Sequence, residues 1–313
     1  MKVIICNKID ENNPNYFKRA WRIPFAELEK VGWKSIDQSE IKGKLSDFFI
    51  NNYGSLPKVL FFWNTNTFIK NNFDAITKQN WIKCIYMDDL HQKSDKIKNF
   101  RNLILEKFDY IFCTCAYIFP KFFNVCKENQ LVWYPHNVNN KFMVVFNENP
   151  TNKILLSGCH DKNVYPFRNY VHNLAKKYPI DILPQLSYRS PNHNNYGHNY
   201  IKYINNYIAS VACCSNQNTP YIVSKFFEIP ASGALLLAYD EYVKEPLKEL
   251  GFIDGENYIS ANHENVIEKI LFITDPNNKE KIDCIRKNGY NLVWSKHTLL
   301  NRIDIIENIV NKY

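Results

Sequence analysis

Short apolar runs alternate with longer amphipathic stretches along the whole chain, and this alternation constrains the fold more than any other feature. The runs are rich in β-branched and aromatic residues and are bounded by polar ones, whereas the stretches between them repeat apolar residues at helical spacing. Parallel strands need a long crossover, which is usually a helix, so this rhythm is typical of parallel sheets covered by helices. The sequence therefore predicts an α/β protein.

The rhythm restarts after the polar segment 147–152, which contains Pro150 and no large apolar residue and which predicts a hinge. A chain of 313 residues is about twice a typical domain. We therefore expect two Rossmann-like, doubly wound domains that face each other across a cleft, at 1–145 and 146–296. The predicted strands are 2–6, 58–63, 83–87, 110–114 and 131–134, then 153–157, 180–183, 210–215, 234–238 and 257–260.

Composition excludes several classes of protein. Hydrophobic residues make up 45% of the chain and aromatic residues 15%, which is too apolar for a disordered chain. No run approaches the 18 or more apolar residues of a membrane span, and the apolar core of the N-terminus is too short for a signal peptide. The nine cysteines lack the spacing of a zinc site. Buried thiols in a reducing compartment account for them, so we expect a cytoplasmic protein.

The net charge of +8 is weak evidence for a nucleic-acid partner. The basic residues are dispersed, and no block of five or six like charges marks a basic arm. Heavy use of Asn and Lys at neutral positions accounts for much of the charge. A nucleic-acid partner is therefore not favoured, although it stays open.

Open parallel sheets bind ligands outside the carboxyl ends of their strands, so polar residues that follow predicted strands are the candidates. One candidate is Glu228, an acid on an otherwise apolar helix that ends at Gly233. A carboxylate can accept two hydrogen bonds from a ribose diol. An ordinary solvated glutamate before a helix stop is the alternative, and the pattern alone slightly favours it.

The last third of the chain resembles the C-terminal domain of GT-B glycosyltransferases, in particular the CgeB-like branch of the group 1 families. The order and spacing of its motifs match over 218–302. The motifs are Lys225-Phe-Phe-Glu228, Ala231-Ser-Gly233-Ala-Leu-Leu-Leu, Asn262-His-Glu264-Asn-Val-Ile-Glu-Lys-Ile and His297-Thr298-Leu-Leu-Asn-Arg302. The resemblance implies that Glu228 binds a nucleotide ribose and that Ser224 and Lys225 lie near its diphosphate. It also implies that the final helix, in 297–313, packs back on the first domain.

A second candidate loop follows the predicted strand 153–157. Gly158 allows a ligand to approach the backbone closely, and Arg168 can fork onto a phosphate. The Gly…Tyr-Pro-x-Arg pattern of this loop is also similar to the CgeB-like group, which favours a donor-site loop. The alternative is a structural loop in which Arg168 pairs with a surface acid.

A third candidate follows the predicted strand 83–87. Asp88, Asp89 and His91 could activate an acceptor hydroxyl, with Asp88 as the first choice and His91 as the second. The alternative is that the adjacent carboxylates cap a helix N-terminus. A minor candidate is His136, which stands where the segment leading into the hinge of GT-B enzymes carries an asparagine.

The resemblance implies a glycosyltransferase that uses a nucleotide diphosphate sugar, with UDP favoured, as its co-substrate. Metal-dependent sugar transferases of the other common fold use an Asp-x-Asp, whereas Asp88 and Asp89 are adjacent, so we expect a metal-independent enzyme with no obligatory cofactor. The acceptor is a glycan, a protein or a small molecule, with a modified DNA base as an alternative. Many retaining members carry a glutamate eight positions before the ribose glutamate. This chain has Pro220 there. The stereochemical outcome is therefore open, and a sugar-nucleotide-binding protein without transfer activity is a second alternative.

Overall fold

The computed structural model describes residues 1–6, 25–63, 66–91, 94–124, 127–183 and 197–313. These residues form two compact units. The first unit contains the described residues up to Pro135 together with Arg302–Tyr313, and the second contains His136–Asn301. Each unit is built on one parallel sheet, which confirms the predicted α/β class.

The first sheet has six strands: β1 (Lys2–Cys6), β2 (Trp33–Asp37), β3 (Val59–Trp63), β4 (Ile82–Met87), β5 (Tyr110–Cys113) and β6 (Leu131–Trp133). They pair in parallel in the order β2-β1-β3-β4-β5-β6. The central strand β3 is buried along its whole length. It reads as an unbroken apolar run because helices cover both faces of a parallel sheet.

The helices of the first unit are α1 (Phe25–Lys30), α2 (Leu45–Tyr53), α3 (Asn66–Asn71), α4 (Phe73–Thr77) and α5 (Asp95–Lys107). The sequence prediction missed β2. This strand lies at the edge of the sheet, where it pairs with β1, and its sequence Trp-Lys-Ser-Ile-Asp has an exposed lysine in place of a continuous apolar run. Its burial depends on contacts with the rest of the unit, which local periodicity does not reveal.

The last helix, α12 (Leu299–Val310), supplies part of the core of the first unit. Ile303, Ile306 and Val310 are buried there among aromatic residues of the sheet. The carboxylate of Glu307 also ties this helix to β1 and β2, because it accepts hydrogen bonds from Lys2 Nζ and Trp33 Nε1, both at 2.6 Å. The C-terminal helix is therefore an integral part of the first unit.

The second sheet has five strands: β7 (Thr151–Ser157), β8 (Ile180–Leu183), β9 (Tyr207–Cys213), β10 (Leu235–Tyr239) and β11 (Ile259–Ser260). They are parallel, in the order β11-β10-β9-β7-β8. The chain runs from β7 to β8 on one side and then returns to place β9 on the other side of β7. This reversal is the switch point where open α/β sheets bind ligands.

The helices of the second unit are α6 (Pro166–Leu174), α7 (Gly197–Ile204), α8 (Lys225–Ala231), α9 (Lys244–Glu249), α10 (Val266–Thr274) and α11 (Lys279–Lys296). Each of the ten predicted strands overlaps an observed strand. Helix α8 begins at Lys225, after a turn at 216–219 in which the Asn216 side chain accepts from backbone amides. No helix in the described ranges is long and apolar enough to cross a membrane.

The segment 136–149 makes its contacts within the second unit, although it was expected mostly with the first domain. Tyr290 Oη donates to Val144 O at 2.7 Å, and Arg286 Nη2 donates to Asn147 O at 2.7 Å. Arg286 is buried and also donates from Nε to Gly233 O at 2.9 Å. Helix α11 therefore joins this segment to the turn between α8 and β10.

Gly289 lets α11 lie close to its neighbours. A Cβ at this position would come within 2.6 Å of Asn257 O and 3.3 Å of Pro230 Cβ. The first contact is with backbone, which has little freedom to move, so the helix could keep its present position only with glycine there.

We predict that Gly289→Ala lowers the free energy of unfolding by about 1–3 kcal/mol, because the new methyl group overpacks the interface. Urea unfolding of the purified protein measures the change. Asn291→Ala, at an exposed position of the same helix, is the control and should unfold close to the wild-type midpoint. Equal stability of Gly289→Ala and the control would contradict this account of the packing.

Candidate functional site

The loop that leaves β7 at the switch point carries Gly158, whose φ angle is +86°. Glycine adopts this left-handed conformation without the steric cost of a side chain. The loop then leads into α6, where Pro166 occupies the first turn and Arg168 follows. The turn and the short helix therefore return Arg168 to the carboxyl end of β7.

Two cationic side chains flank Gly158. A Cβ on Gly158 would lie 3.3 Å from Arg168 Nη1 and 3.6 Å from Lys225 Nζ. No carboxylate of the described residues forms an ion pair with either cation. Two positive charges this close repel each other, and an anion between them would relieve the repulsion. The surroundings of Gly158 therefore form a candidate anion site.

Arg168 is buried, with only 3% of the residue exposed, and neighbouring groups fix the position of its guanidinium. Its Nη1 donates to Cys159 O at 2.6 Å, and its guanidinium lies 4.1 Å from the centre of the Tyr165 ring. Its Nε is buried and has no hydrogen-bond partner in the part of the chain that the structure describes. The side chain thus retains donor capacity for a further group.

The positive charges of Arg168 and Lys225 also affect the thiol of Cys213 at the end of β9. Burial raises the pKa of the Cys213 thiol, and the positive charges of Arg168 and Lys225 oppose that rise. Cys213 is the last residue of β9, and Gly158 directly follows β7. Both cations therefore lie at the carboxyl ends of the two strands that form the switch point.

Two hydroxyl groups and an aromatic ring fix the position of the ammonium of Lys225, the first residue of α8. Its ammonium donates to Ser157 Oγ at 2.9 Å and also to Tyr200 Oη. It lies 4.5 Å from the centre of the Tyr200 ring, a cation–π distance. Sequence reasoning did not identify Ser157 or Tyr200. Ser157, a polar residue that ends a strand beside Gly158, offered a signal, whereas Tyr200 on α7 offered none.

Glu228 lies one turn after Lys225 on α8, and its backbone amide donates to Ser224 O at 2.9 Å. Its side chain is buried, with 8% of the residue exposed. Ser224 immediately precedes the helix and makes no side-chain capping bond. The structure thus places Lys225 beside Gly158 and Arg168, and Ser224 and Glu228 on the same short segment. The ribose role of Glu228 stays a prediction.

In the first unit, Asp88 directly follows β4. Its Oδ1 accepts from Thr114 Oγ1 at 2.7 Å and from the backbone amide of Asp89 at 3.0 Å. Tyr86 Oη lies 3.4 Å from its Oδ2, and the Tyr86 ring stacks on Trp63 at a centroid distance of 4.0 Å. The carboxylate of Asp88 is therefore oriented by neighbours on β4 and after β5.

The segment after Asp88 is irregular. Asp89 has a φ angle of +46°, and the buried Arg101 of α5 donates to its carbonyl oxygen at 3.0 Å. The alternative that Asp88 and Asp89 cap a helix is wrong, because α5 begins only at Asp95. Asp89 and His91 are exposed, and His136 is a buried residue of the second unit.

A polar cavity of about 350 Å³ lies at the carboxyl ends of β10 and β11. It is lined by Asp240, Glu241, Lys244, Asp254, Ser260, Ala261, Asn262, Asn265 and Lys269. Burial raises the pKa of Asp240, whose carboxylate accepts from Tyr258 Oη and Ser260 Oγ, each at 2.7 Å. Within the described ranges, no three His, Cys, Asp or Glu side chains come together as metal ligands.

Comparison with known proteins agrees with this architecture. Residues 171–308 match a family model described as "Glycosyl transferase-like". Sucrose-phosphate synthase from Thermosynechococcus elongatus is similar in structure, with a TM-score of 0.64 and 12% identity over 100% of this chain and 99% of that chain. HepE from Anabaena is also similar in structure, with a TM-score of 0.61 and 10% identity over 100% of both chains. The chain has the GT-B fold.

A glycosyltransferase from Rickettsia africae is also similar, with a TM-score of 0.60 and 11% identity over 100% of this chain and 99% of that chain. No curated protein matches the sequence. The resemblance to GT-B glycosyltransferases of the group 1 families is thus confirmed, whereas the CgeB-like branch stays a prediction. The family match includes α8 and most of α12, and the candidate anion site lies partly within it.

We predict that Gly158→Ala destabilises the protein more than Gly255→Ala does. Both glycines have positive φ angles, so both substitutions carry a similar backbone cost of about 1 kcal/mol. Only the methyl group at position 158 meets other side chains, since nothing lies within 4 Å of the one at 255. The crowding should add about 1 kcal/mol, measured by urea unfolding. Equal losses for the two variants would contradict the close approach of the cations.

Proposed function

We propose that this protein is a glycosyltransferase that transfers a sugar from a nucleotide diphosphate sugar, specifically a UDP-sugar, to a glycan, protein or small-molecule acceptor. The observation that carries the proposal is the pair of cations around Gly158, without a carboxylate partner among the described residues, at the switch point of a GT-B chain. The family match over 171–308 supports it. Structures of HepE contain UDP, UDP with glucose, or UDP-glucose, which supports UDP as the nucleotide.

In this proposal Arg168 and Lys225 bind the diphosphate. When the bond between sugar and phosphate breaks, the leaving diphosphate gains negative charge, and positive groups already in place stabilise that charge without reorganising. Burial strengthens the effect, because water screens charges less in the partly buried site. Since the two side chains themselves supply the positive charge, we propose that transfer needs no obligatory metal ion or other cofactor.

Glu228 is proposed to bind the ribose. Its carboxylate lies one helical turn from Lys225, so a nucleotide whose diphosphate meets the lysine can bring its ribose to the glutamate. The carboxylate of this largely buried residue can accept two hydrogen bonds from the two hydroxyls of a ribose. Ser224, immediately before Lys225, is proposed to lie near the diphosphate.

Asp88 is proposed to act on the acceptor. Thr114 and the Asp89 amide both donate to its Oδ1, which holds the carboxylate in one orientation. An oriented carboxylate can accept the proton of an acceptor hydroxyl or stabilise the positive charge that develops on the sugar. His91, three residues further on, is the second candidate for this role, and Asp89 is the third.

We expect wild-type protein to bind UDP and Lys225→Met to bind it at least tenfold more weakly. Methionine keeps the length of the side chain and removes the charge that meets the diphosphate. Lys162→Met, at an exposed position of the loop that carries Gly158, is the matched control and should bind UDP like the wild type. Isothermal titration calorimetry measures the three affinities. Failure of the wild type to bind UDP would overturn the proposal of a UDP-sugar donor.

We expect Asp88→Asn to lower the rate of sugar transfer about 100-fold or more, because the carboxylate can no longer take a proton. Its affinity for UDP should stay within twofold of the wild type. Release of UDP from a panel of UDP-sugars, with candidate acceptors, measures the rate. Asp74→Asn, an exposed position of the same unit, is the control. Unchanged turnover in Asp88→Asn would remove Asp88 from the reaction.

The same panel distinguishes the alternatives. Binding of UDP without turnover of any sugar would favour a binding protein, an alternative suggested by Pro220. Binding of duplex DNA that weakens steeply with salt would favour a nucleic-acid acceptor, because phosphate contacts release counterions. Transfer to a saccharide, peptide or small molecule without such binding would support the acceptor classes proposed above.

A further inference from the structure

Ser157, Tyr200 and Lys225 form a closed set of three hydrogen-bonded groups, which we call the lysine triad. Lys225 Nζ donates to both hydroxyl oxygens, and those two oxygens lie 2.6 Å apart. The three residues come from β7, α7 and α8. Ser157 and Tyr200 are 2% and 5% exposed, so the triad is largely shielded from water.

The hydrogens of the lysine triad can be counted. A lysine ammonium carries three donor hydrogens, and each hydroxyl carries one. The three contacts within the triad use two ammonium hydrogens and one hydroxyl hydrogen. One ammonium hydrogen and one hydroxyl hydrogen are left over, and no acceptor among the described residues outside the triad takes the ammonium hydrogen. An acceptor from a ligand would complete the set.

The triad also limits how Lys225 can move. A free lysine side chain loses rotamer entropy when it is ordered. Here two hydroxyls and the face of an aromatic ring order the ammonium before any ligand arrives. The ordered ammonium lies beside Gly158, where the missing side chain leaves room, and Arg168 lies on the same side. A preorganised cation binds an anion more tightly than a mobile one.

We propose that Tyr200 is a positioning residue for the donor diphosphate and that it acts through Lys225. Its hydroxyl, together with Ser157, holds the ammonium so that the remaining N–H is available to a phosphate oxygen beside Gly158. This inference rests on the proposed function, since it refines the diphosphate site. Tyr200 itself is not proposed to react.

A double-mutant cycle tests the proposal, with UDP and inorganic pyrophosphate as probes in calorimetry. Tyr200→Phe keeps the ring and removes only the hydroxyl, so it should weaken the binding of both probes about three- to tenfold. In a Lys225→Met background, the same substitution should change the affinities less than twofold, because the group that it positions is gone. Tyr203→Phe, on the same helix, is the matched control and should bind both probes like the wild type.

A merely structural role for Tyr200 would give equal losses in both backgrounds, and that outcome would overturn the proposal. Wild-type affinity in Tyr200→Phe would overturn it as well, while a loss in Lys225→Met would leave the diphosphate site standing. If the wild type bound neither probe, the proposed function itself would fail. Should Tyr200→Phe not fold, the same cycle with Ser157→Ala tests the triad.

Discussion

The parallel arrangement of the second sheet is the constraint on which the site depends. Because β7 and β9 are parallel neighbours, the connections that follow them both leave from the same edge of the sheet. Helix α6 follows the first strand and α8 follows the second, so Arg168 and Lys225 meet at Gly158 although they lie 57 positions apart in sequence. An antiparallel pair would send the two connections to opposite ends and separate the cations.

Two adjacent cations are costly to a folded protein unless other groups compensate for them. The protein supplies a backbone carbonyl and a tyrosine ring for Arg168, and two hydroxyls and another tyrosine ring for Lys225. These groups are dipoles and ring faces rather than carboxylates. They stabilise each cation without neutralising it, so the positive potential remains available to an anion. A site with paired acids would be more stable when empty and would bind a diphosphate less well.

In the first unit, local sequence predicted the position of a candidate residue but not the geometry around it. Asp88 was predicted from its place directly after an apolar run, and the structure does place it at the end of β4. Adjacent carboxylates looked equally suited to capping a helix. The next helix starts at Asp95, and Thr114 and Arg101 bind the segment that carries the two carboxylates instead. Both contacts come from other elements of the unit. The edge strand β2 was missed for the same kind of reason.

The sequence alone determined the α/β class, the ten predicted strands, and the candidates Gly158, Arg168, Lys225 and Glu228. The class, the strands, Gly158, Arg168 and Glu228 depend on local periods of two and 3.6 residues or on residue types in a local pattern, which can be read directly from the chain. Lys225 became a candidate through the resemblance to GT-B glycosyltransferases. Only the tertiary structure decided that β9 pairs with β7, and that Tyr200 joins Ser157 and Lys225, which lie 43 and 25 positions away. Strand order and such distant contacts result from packing of the whole unit, which no local pattern records.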